Sequence, residues 1–191
     1  MTIFIRQAAL SDAKQVAPLI YEAIGEIANR LTGESNYSNI INELEVLFKR
    51  TDNRHSYLNT YVAEDDQTKD ILGIIVLYSG KDAAKLDNSL QQWLINKNAS
   101  IITIDVEAHP DEFYVDTICV HEKARGEGLG TKLLAFAETI ALKNGFTKLS
   151  LNVELEKVKA RHLYERVGFV VTEPWTIMNE PFHHMVKQIG K

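Results

Sequence analysis

Apolar residues recur along this chain at two periods, and the switches between them order its elements. Ile3 to Ala8 alternates like a short strand. Ser11-Asp12 then offers a helix cap before Val16, Leu19, Ile20, Ala23, Ile24 and Ile27, which share a helical spacing. The segment Leu31-Thr32-Gly33-Glu34 joins this helix to a second over Asn39 to Lys49, with Ile40, Ile41, Leu44, Leu47 and Phe48 on one side. Tyr61 to Glu64 and Ile71 to Tyr78 read as two strands of a hairpin around the polar turn Asp65 to Asp70. A helical segment, Asp82 to Asn96, and an extra apolar stretch, Ala99 to Val106, follow. His109-Pro110-Asp111-Glu112 breaks the pattern before the strand Phe113 to Val120. Gly80 to Glu107 therefore reads as an insertion at about 80–107.

The pattern then repeats strand and helix. Phe113 to Val120 runs through the polar loop His121 to Glu127 into a long helix from about Gly128, stopped by Asn144-Gly145. Leu149 to Val153 is the next strand, and Lys157 to Val167 a short helix ended by Gly168. Phe169 to Thr172 and His183 to Gln188 finish as strands, the latter after Pro181. No internal repeat, low-complexity tract or linker divides the chain, so residues 1–191 read as one α/β domain.

Composition narrows the class. With 191 residues, 45% of them apolar and 25% charged, the chain can bury a core without a metal or disulfide staple, and a disordered protein is excluded. Its apolar runs fall far short of the ~18 residues that a membrane helix needs. The opening MTIFIRQAALSDAK lacks the basic start and long apolar centre of a secretory signal. Cys119 is the only cysteine, so neither an internal disulfide nor a multi-cysteine zinc site is available. Together these features predict a cytoplasmic protein with no membrane partner. Charge is uneven: His121 to Arg166 holds nine Lys/Arg against six Glu, a net of +3, within a chain of −5. A basic patch inside an acidic protein suits a small anionic ligand and argues against a nucleic-acid partner.

That patch contains the most informative stretch, Val120-His121-Glu122-Lys123-Ala124-Arg125-Gly126-Glu127-Gly128-Leu129-Gly130-Thr131-Lys132. Three alternating glycines between a strand and a helix let backbone approach a ligand and leave the first helical amides free for a phosphate. A dinucleotide fingerprint would need glycine at Thr131, and a P-loop would need Gly-Lys-Ser/Thr where this chain has Gly130-Thr131-Lys132; both patterns fail. A tight turn without a ligand is the bland alternative for the loop alone.

Arg125-Gly126-Glu127-Gly128-Leu129-Gly130 is similar to motif A, R/Q-x-x-G-x-G/A, of the GCN5-related N-acetyltransferase (GNAT) superfamily. Ala160-Arg161-His162-Leu163-Tyr164-Glu165-Arg166-Val167-Gly168-Phe169 resembles that family's A-x-x-L-Y-E-x-x-G-F signature, at the family's separation. The resemblance is specific over about Phe113 to Val171 and looser from Ile3 to Tyr78. It implies the GNAT fold, a mixed and mostly antiparallel twisted sheet flanked by helices, with splayed central strands. It also implies acetyl-CoA as co-substrate and direct transfer to a primary amine, a small molecule or a peptide amine, in a ternary complex without a metal. O-acetyl transfer, a longer acyl-CoA, and a catalytically idle acyl-CoA-binding or regulatory module on the same fold are the alternatives. Monomer and homodimer are both compatible with it.

On the same resemblance, the backbone of Ile118, Cys119 and Val120 would pair with the pantetheine, and an amide near Ile118 or Cys119 would face the thioester oxygen. The amides of Gly126, Glu127, Gly128, Leu129, Gly130 and Thr131, with Arg125, would hold the pyrophosphate. Lys157 stands where the family often has asparagine near the pantetheine arm. Tyr164 is the candidate donor to the departing thiolate, against a packing role. Asp116, on one face with Tyr114, Ile118 and Val120 if alternation holds, is the candidate base, against a hydrogen-bonded strand residue. Glu107 and Glu112 rank below it as residues of a solvated loop. His121 reads as an exposed loop residue. Of His183 and His184, which point to opposite faces and cannot jointly hold a metal, one is expected to line the acceptor pocket. Cys119 reads as a small buried apolar residue. The first two helices, the 80–107 segment and the final hairpin would form the acceptor side, with Glu22 and Glu26 favouring a cation.

Overall fold

A computed structural model describes residues 2–97 and 103–190, so part of the expected 99–106 stretch lies outside the described residues. Among the described residues seven strands form one sheet, in the order β1-β2-β3-β4-β5-β7-β6. They are β1 Ile3–Gln7, β2 Thr60–Asp65, β3 Ile71–Ser79, β4 Phe113–Val120, β5 Lys148–Glu154, β6 Val170–Ile177 and β7 Glu180–Gln188. Only β4 and β5 run parallel; every other neighbour is antiparallel. Among the described residues the helices are α1 Ala13–Ile24, α2 Ile27–Thr32, α3 Tyr37–Lys49, α4 Gly80–Asn96, α5 Leu129–Lys143 and α6 Val158–Arg166.

The apolar stripes of α1 and α3 explain one face of the sheet. Val16, Ile20, Ile40, Leu44 and Phe48 are buried against Val62, Ile71 and Ile74. On the other face Leu129, Leu133, Ala137 and Ala141 of α5 pack with Leu149, Leu151 and Met185. The 80–107 segment is not a free appendage: Leu90 and Leu94 of α4 join Leu31, Leu47, Ile177 and Phe182 in a third cluster.

Three sequence expectations change. The apolar run from Val16 to Ile27 is two helices, because Gly25 takes φ +54° and caps α1 through its amide on Tyr21 O, which turns the chain before α2. The last two strands are longer than Phe169–Thr172 and His183–Gln188. Pro174 sits in β6, which forms the sheet's edge and tolerates a missing N–H, and Met178-Asn179 with positive φ closes a two-residue turn to β7. Finally, β4 carries a bulge. Val76 pairs with Thr117 but Leu77 with Val115, so Asp116 is an extra residue on its strand.

Candidate active site

The parallel pair β4 and β5 is joined only from Phe113–Leu149 to Val115–Leu151. Beyond Val115 the strands splay, leaving the facing edges of Asp116–Val120 and Asn152–Glu154 without each other as ladder partners. The bulge at Asp116 falls at the point of divergence, where added twist bends β4 away. Between the strands lies a cavity of about 850 Å³, running from the glycine loop at one end to Glu107, Tyr114 and Asp116 at the other. Ile118, Cys119, Val120, Arg125, Gly126, Gly128, Leu129, Gly130, Thr131, Lys157 and Tyr164 all border it.

At the loop end, Gly128 adopts φ +76° and ψ 11°, a left-handed conformation that a side chain would strain, and caps α5. The first helical bond runs from Lys132 N to Gly128 O at 3.1 Å. The amides of Leu129, Gly130 and Thr131 thus have no intrahelical acceptor and stand at the positive end of α5, as an anion site requires. Arg125 is anchored by its Nε on Val120 O at 3.0 Å, and its guanidinium also bonds Glu22 on α1. Glu22 is therefore the partner of Arg125 across the cavity mouth. Lys157, at the start of α6, places its Nζ 2.9 Å from Glu154 and 3.4 Å from Ala23 O. In place of an asparagine amide, a cation bridges the mouth.

Midway along, Tyr164 of α6 is 9% exposed, stacked edgewise near Phe169, and burial pushes its hydroxyl up to about 12. It is therefore protonated throughout the neutral range and fit to donate. Cys119 is buried among α1 and α3 residues, and burial followed by the nearby Glu22 raises its thiol to about 12. A thiol so held is a poor nucleophile.

The far end holds a buried charge cluster that local sequence pattern does not reveal. Arg54, 3% exposed and carried by the connection between α3 and β2, bonds Asp87 of α4 at 2.6 Å, Glu107 ahead of β4, and Asp116 at 3.2 Å. Tyr78 donates its hydroxyl to Asp116 at 2.8 Å, Thr117 donates to it at 2.8 Å, and His55 Nε2 lies 3.4 Å away. Burial alone would raise the Asp116 carboxyl, but Arg54, His55 and Thr117 override it and hold the group well below the usual carboxylate range. Glu107 differs. It accepts from Tyr114 at 2.7 Å and from Arg54, yet burial outweighs these contacts and moves its carboxyl upward.

Several expectations are corrected here. Asp116 shares a face with Tyr114, as its bond to Tyr78 indicates, but not with Ile118 and Val120, which pack with the α5 side; the bulge breaks the alternation. Glu107 and Glu112 are not on a solvated loop: Glu112 is 3% exposed and bonds the His109 amide and His184. His183 contacts Arg161 and His184 is fully buried, so the hairpin contributes Ile177 and Phe182 to the cavity in place of a histidine. His121 accepts the Lys123 amide as a loop cap. Arg54, His55, Tyr78, Asp87 and Asn152 are additional to the sequence reading. Arg54-His55 sits in a polar segment, Thr51 to Asn59, that reads as an ordinary loop.

The sequence profile described as the acetyltransferase (GNAT) family matches residues 26–169. A mycothiol acetyltransferase of Jonesia denitrificans is 30% identical over 80 residues, which span 42% of this chain and 26% of that protein. A crystal structure described as an acetyltransferase superposes with a TM-score of 0.80 at 28% identity, covering 98% of this chain and all of the other. The crystal structure of an N-acetyltransferase from Staphylococcus aureus Mu50 gives 0.79 at 25% identity, over 96% and 99% of the two chains.

Proposed function

Because this chain belongs to the acetyltransferase (GNAT) family, we propose that it transfers the acetyl group of acetyl-CoA directly to a primary amine in the cavity between β4 and β5. One observation carries the reading: a single cavity connects the unpaired amides at the head of α5 to the Glu107 and Asp116 carboxylates, with Tyr164 on its wall.

The residues fit the co-substrate. Amides of Leu129, Gly130 and Thr131 suit a pyrophosphate, and the unpaired edges of β4 and β5 suit an amide-bearing arm lying between them like an added strand. Acetyl-CoA supplies the activated acyl group. Everything else is asked of the chain: to orient the amine, to accept its proton, to hold the oxyanion through a β4 amide near Ile118 or Cys119, and to donate to the thiolate through Tyr164.

For the proton acceptor we place Glu107 ahead of Asp116. A base must be ionised yet able to take a proton near neutral pH. Asp116 accepts from Arg54, Tyr78 and Thr117, contacts that stabilise its anion, whereas Glu107 accepts from Arg54 and Tyr114 and its side chain is the more exposed of the two on the cavity wall. With Arg54 cationic and Asp87, Glu107 and Asp116 anionic, the cavity floor carries net negative charge and attracts an ammonium. Ile24, Ile27, Leu31, Ile177 and Phe182 wall the approach, favouring an amine on an apolar body.

Two-substrate kinetics test direct transfer. Intersecting reciprocal plots for acetyl-CoA and amine support a ternary complex, while parallel plots would mean an acyl-enzyme and return attention to Cys119. Binding of acetyl-CoA without turnover on any acceptor would support the idle module instead.

A further inference from the structure

Behind Glu107, a second cluster lies outside the cavity lining. His184 on β7 is fully buried, and its Nδ1 is 2.7 Å from Asn152 Oδ1. The Asn152 amide is oriented from its other end: Nδ2 donates to the Glu107 backbone oxygen at 2.8 Å and to the Tyr114 hydroxyl oxygen at 3.1 Å. Asn152 Oδ1 must therefore accept, and the His184 hydrogen sits on Nδ1. In the neutral ring this leaves the Nε2 lone pair aimed at both Glu112 oxygens, at 3.1 and 3.2 Å. Two acceptors face each other stably only with a cation at hand.

Further donors converge on the same spot. His109 Nε2 lies 2.8 Å from Glu173 Oε1 of β6, and the His109 ring stands at 87° to that of His184, centroids 5.5 Å apart. One ligand atom each from His109, Glu173 and His184 lies within 4.8 Å of the others. Trp175 stacks on the His184 ring at 4.5 Å and closes one side.

We propose that His109, Glu173 and His184, with Glu112 beside them, form a binding site for a divalent transition-metal ion of the zinc type. Two imidazoles with carboxylates are a donor set that zinc accepts, and magnesium disfavours. Tetrahedral ligands at ~2.0–2.1 Å from zinc stand roughly 3.4 Å apart, so the side chains need move by only about an ångström. The buried His184 is already oriented through Nδ1–H to a carbonyl oxygen, as ligating histidines usually are. His109 and Glu173, each less than half exposed, have room to close in. A bound ion would tie the His109–Glu112 loop to β7 and the edge strand β6. That loop follows directly from Glu107, whose backbone oxygen Asn152 also holds.

The test uses the full chain, freed of metal with a chelator and titrated calorimetrically with zinc chloride. One saturable site per chain with a Kd on the order of micromolar or tighter is expected. His109→Ala and Glu173→Gln change partly exposed side chains and should keep the fold, checked by circular dichroism; each should weaken zinc by about tenfold or more. His162→Ala, at an exposed α6 position, should not. Magnesium should give no heat of specific binding. Failure of the wild-type chain to bind zinc, or unchanged binding in both variants, overturns the site.

Discussion

Tyr114 donates its hydroxyl hydrogen to Glu107 across 2.7 Å, binding a residue of irregular backbone to one in the middle of β4. The tyrosine is fixed by the sheet register, opposite Tyr78 of β3, so the carboxylate inherits a strand's precision without being in a strand. A proton acceptor needs such positioning, since small displacements from the reacting atom cost large factors in rate.

Glu107→Gln retains the shape of that contact but removes the proposed base. Turnover at neutral pH should fall by about a hundredfold to ten-thousandfold, with acetyl-CoA affinity unchanged. Because burial raises the Glu107 carboxyl, the acidic limb of the wild-type kcat/KM profile should lie above the ordinary glutamate value of 4.5, falling as pH drops and the base is protonated. Profiles of wild type and variant check both; an unmoved limb would disqualify Glu107.

Asp116 carries the opposite sign. Its folded carboxyl titrates below the ordinary 3.8, so its contribution to stability is present above that value and is lost as pH falls through the folded one. Asp116→Asn should lower the melting temperature near neutral pH and leave the acidic limb in place. Arg54→Met removes the cation from the buried Asp87 and Asp116 carboxylates and the partly buried Glu107, and should cost about 3–5 kcal/mol, read by denaturant unfolding.

Features carried by consecutive residues are legible in the sequence, and those that depend on distant contacts are not. The glycine loop and the Ala160 to Phe169 segment carry their chemistry in consecutive residues, so their spacing alone predicts a strand, an anion site and a short helix. The floor of the cavity joins Arg54 to Asp87, Glu107 and Asp116, partners 33, 53 and 62 positions away, and no period marks such a set. The Asp116 bulge is equally silent, since one added residue moves every later side chain to the other face.

Tyr164→Phe keeps the ring against Phe169 and deletes the hydroxyl. Turnover should drop by about tenfold to a thousandfold with little change in acetyl-CoA affinity. Normal turnover would return Tyr164 to a packing role.

Gly128→Val forces a β-branched side chain into φ +76° at the head of α5. Acetyl-CoA at a hundred times its Kd should stabilise the wild type by about 2.7 kcal/mol. The variant should lose most of the resulting rise in melting temperature. An undiminished rise would move the pyrophosphate away from the α5 amides.

The most direct measurement is release of CoA thiol from acetyl-CoA across a panel of primary amines, paired with matched alcohols and thiols, with the products weighed by mass spectrometry. The account predicts saturable release with amines on apolar bodies, a product one acetyl group heavier at nitrogen, and none from the matched alcohols and thiols. Release no faster than hydrolysis for every amine, or acetylation of a hydroxyl or thiol in their place, would contradict it.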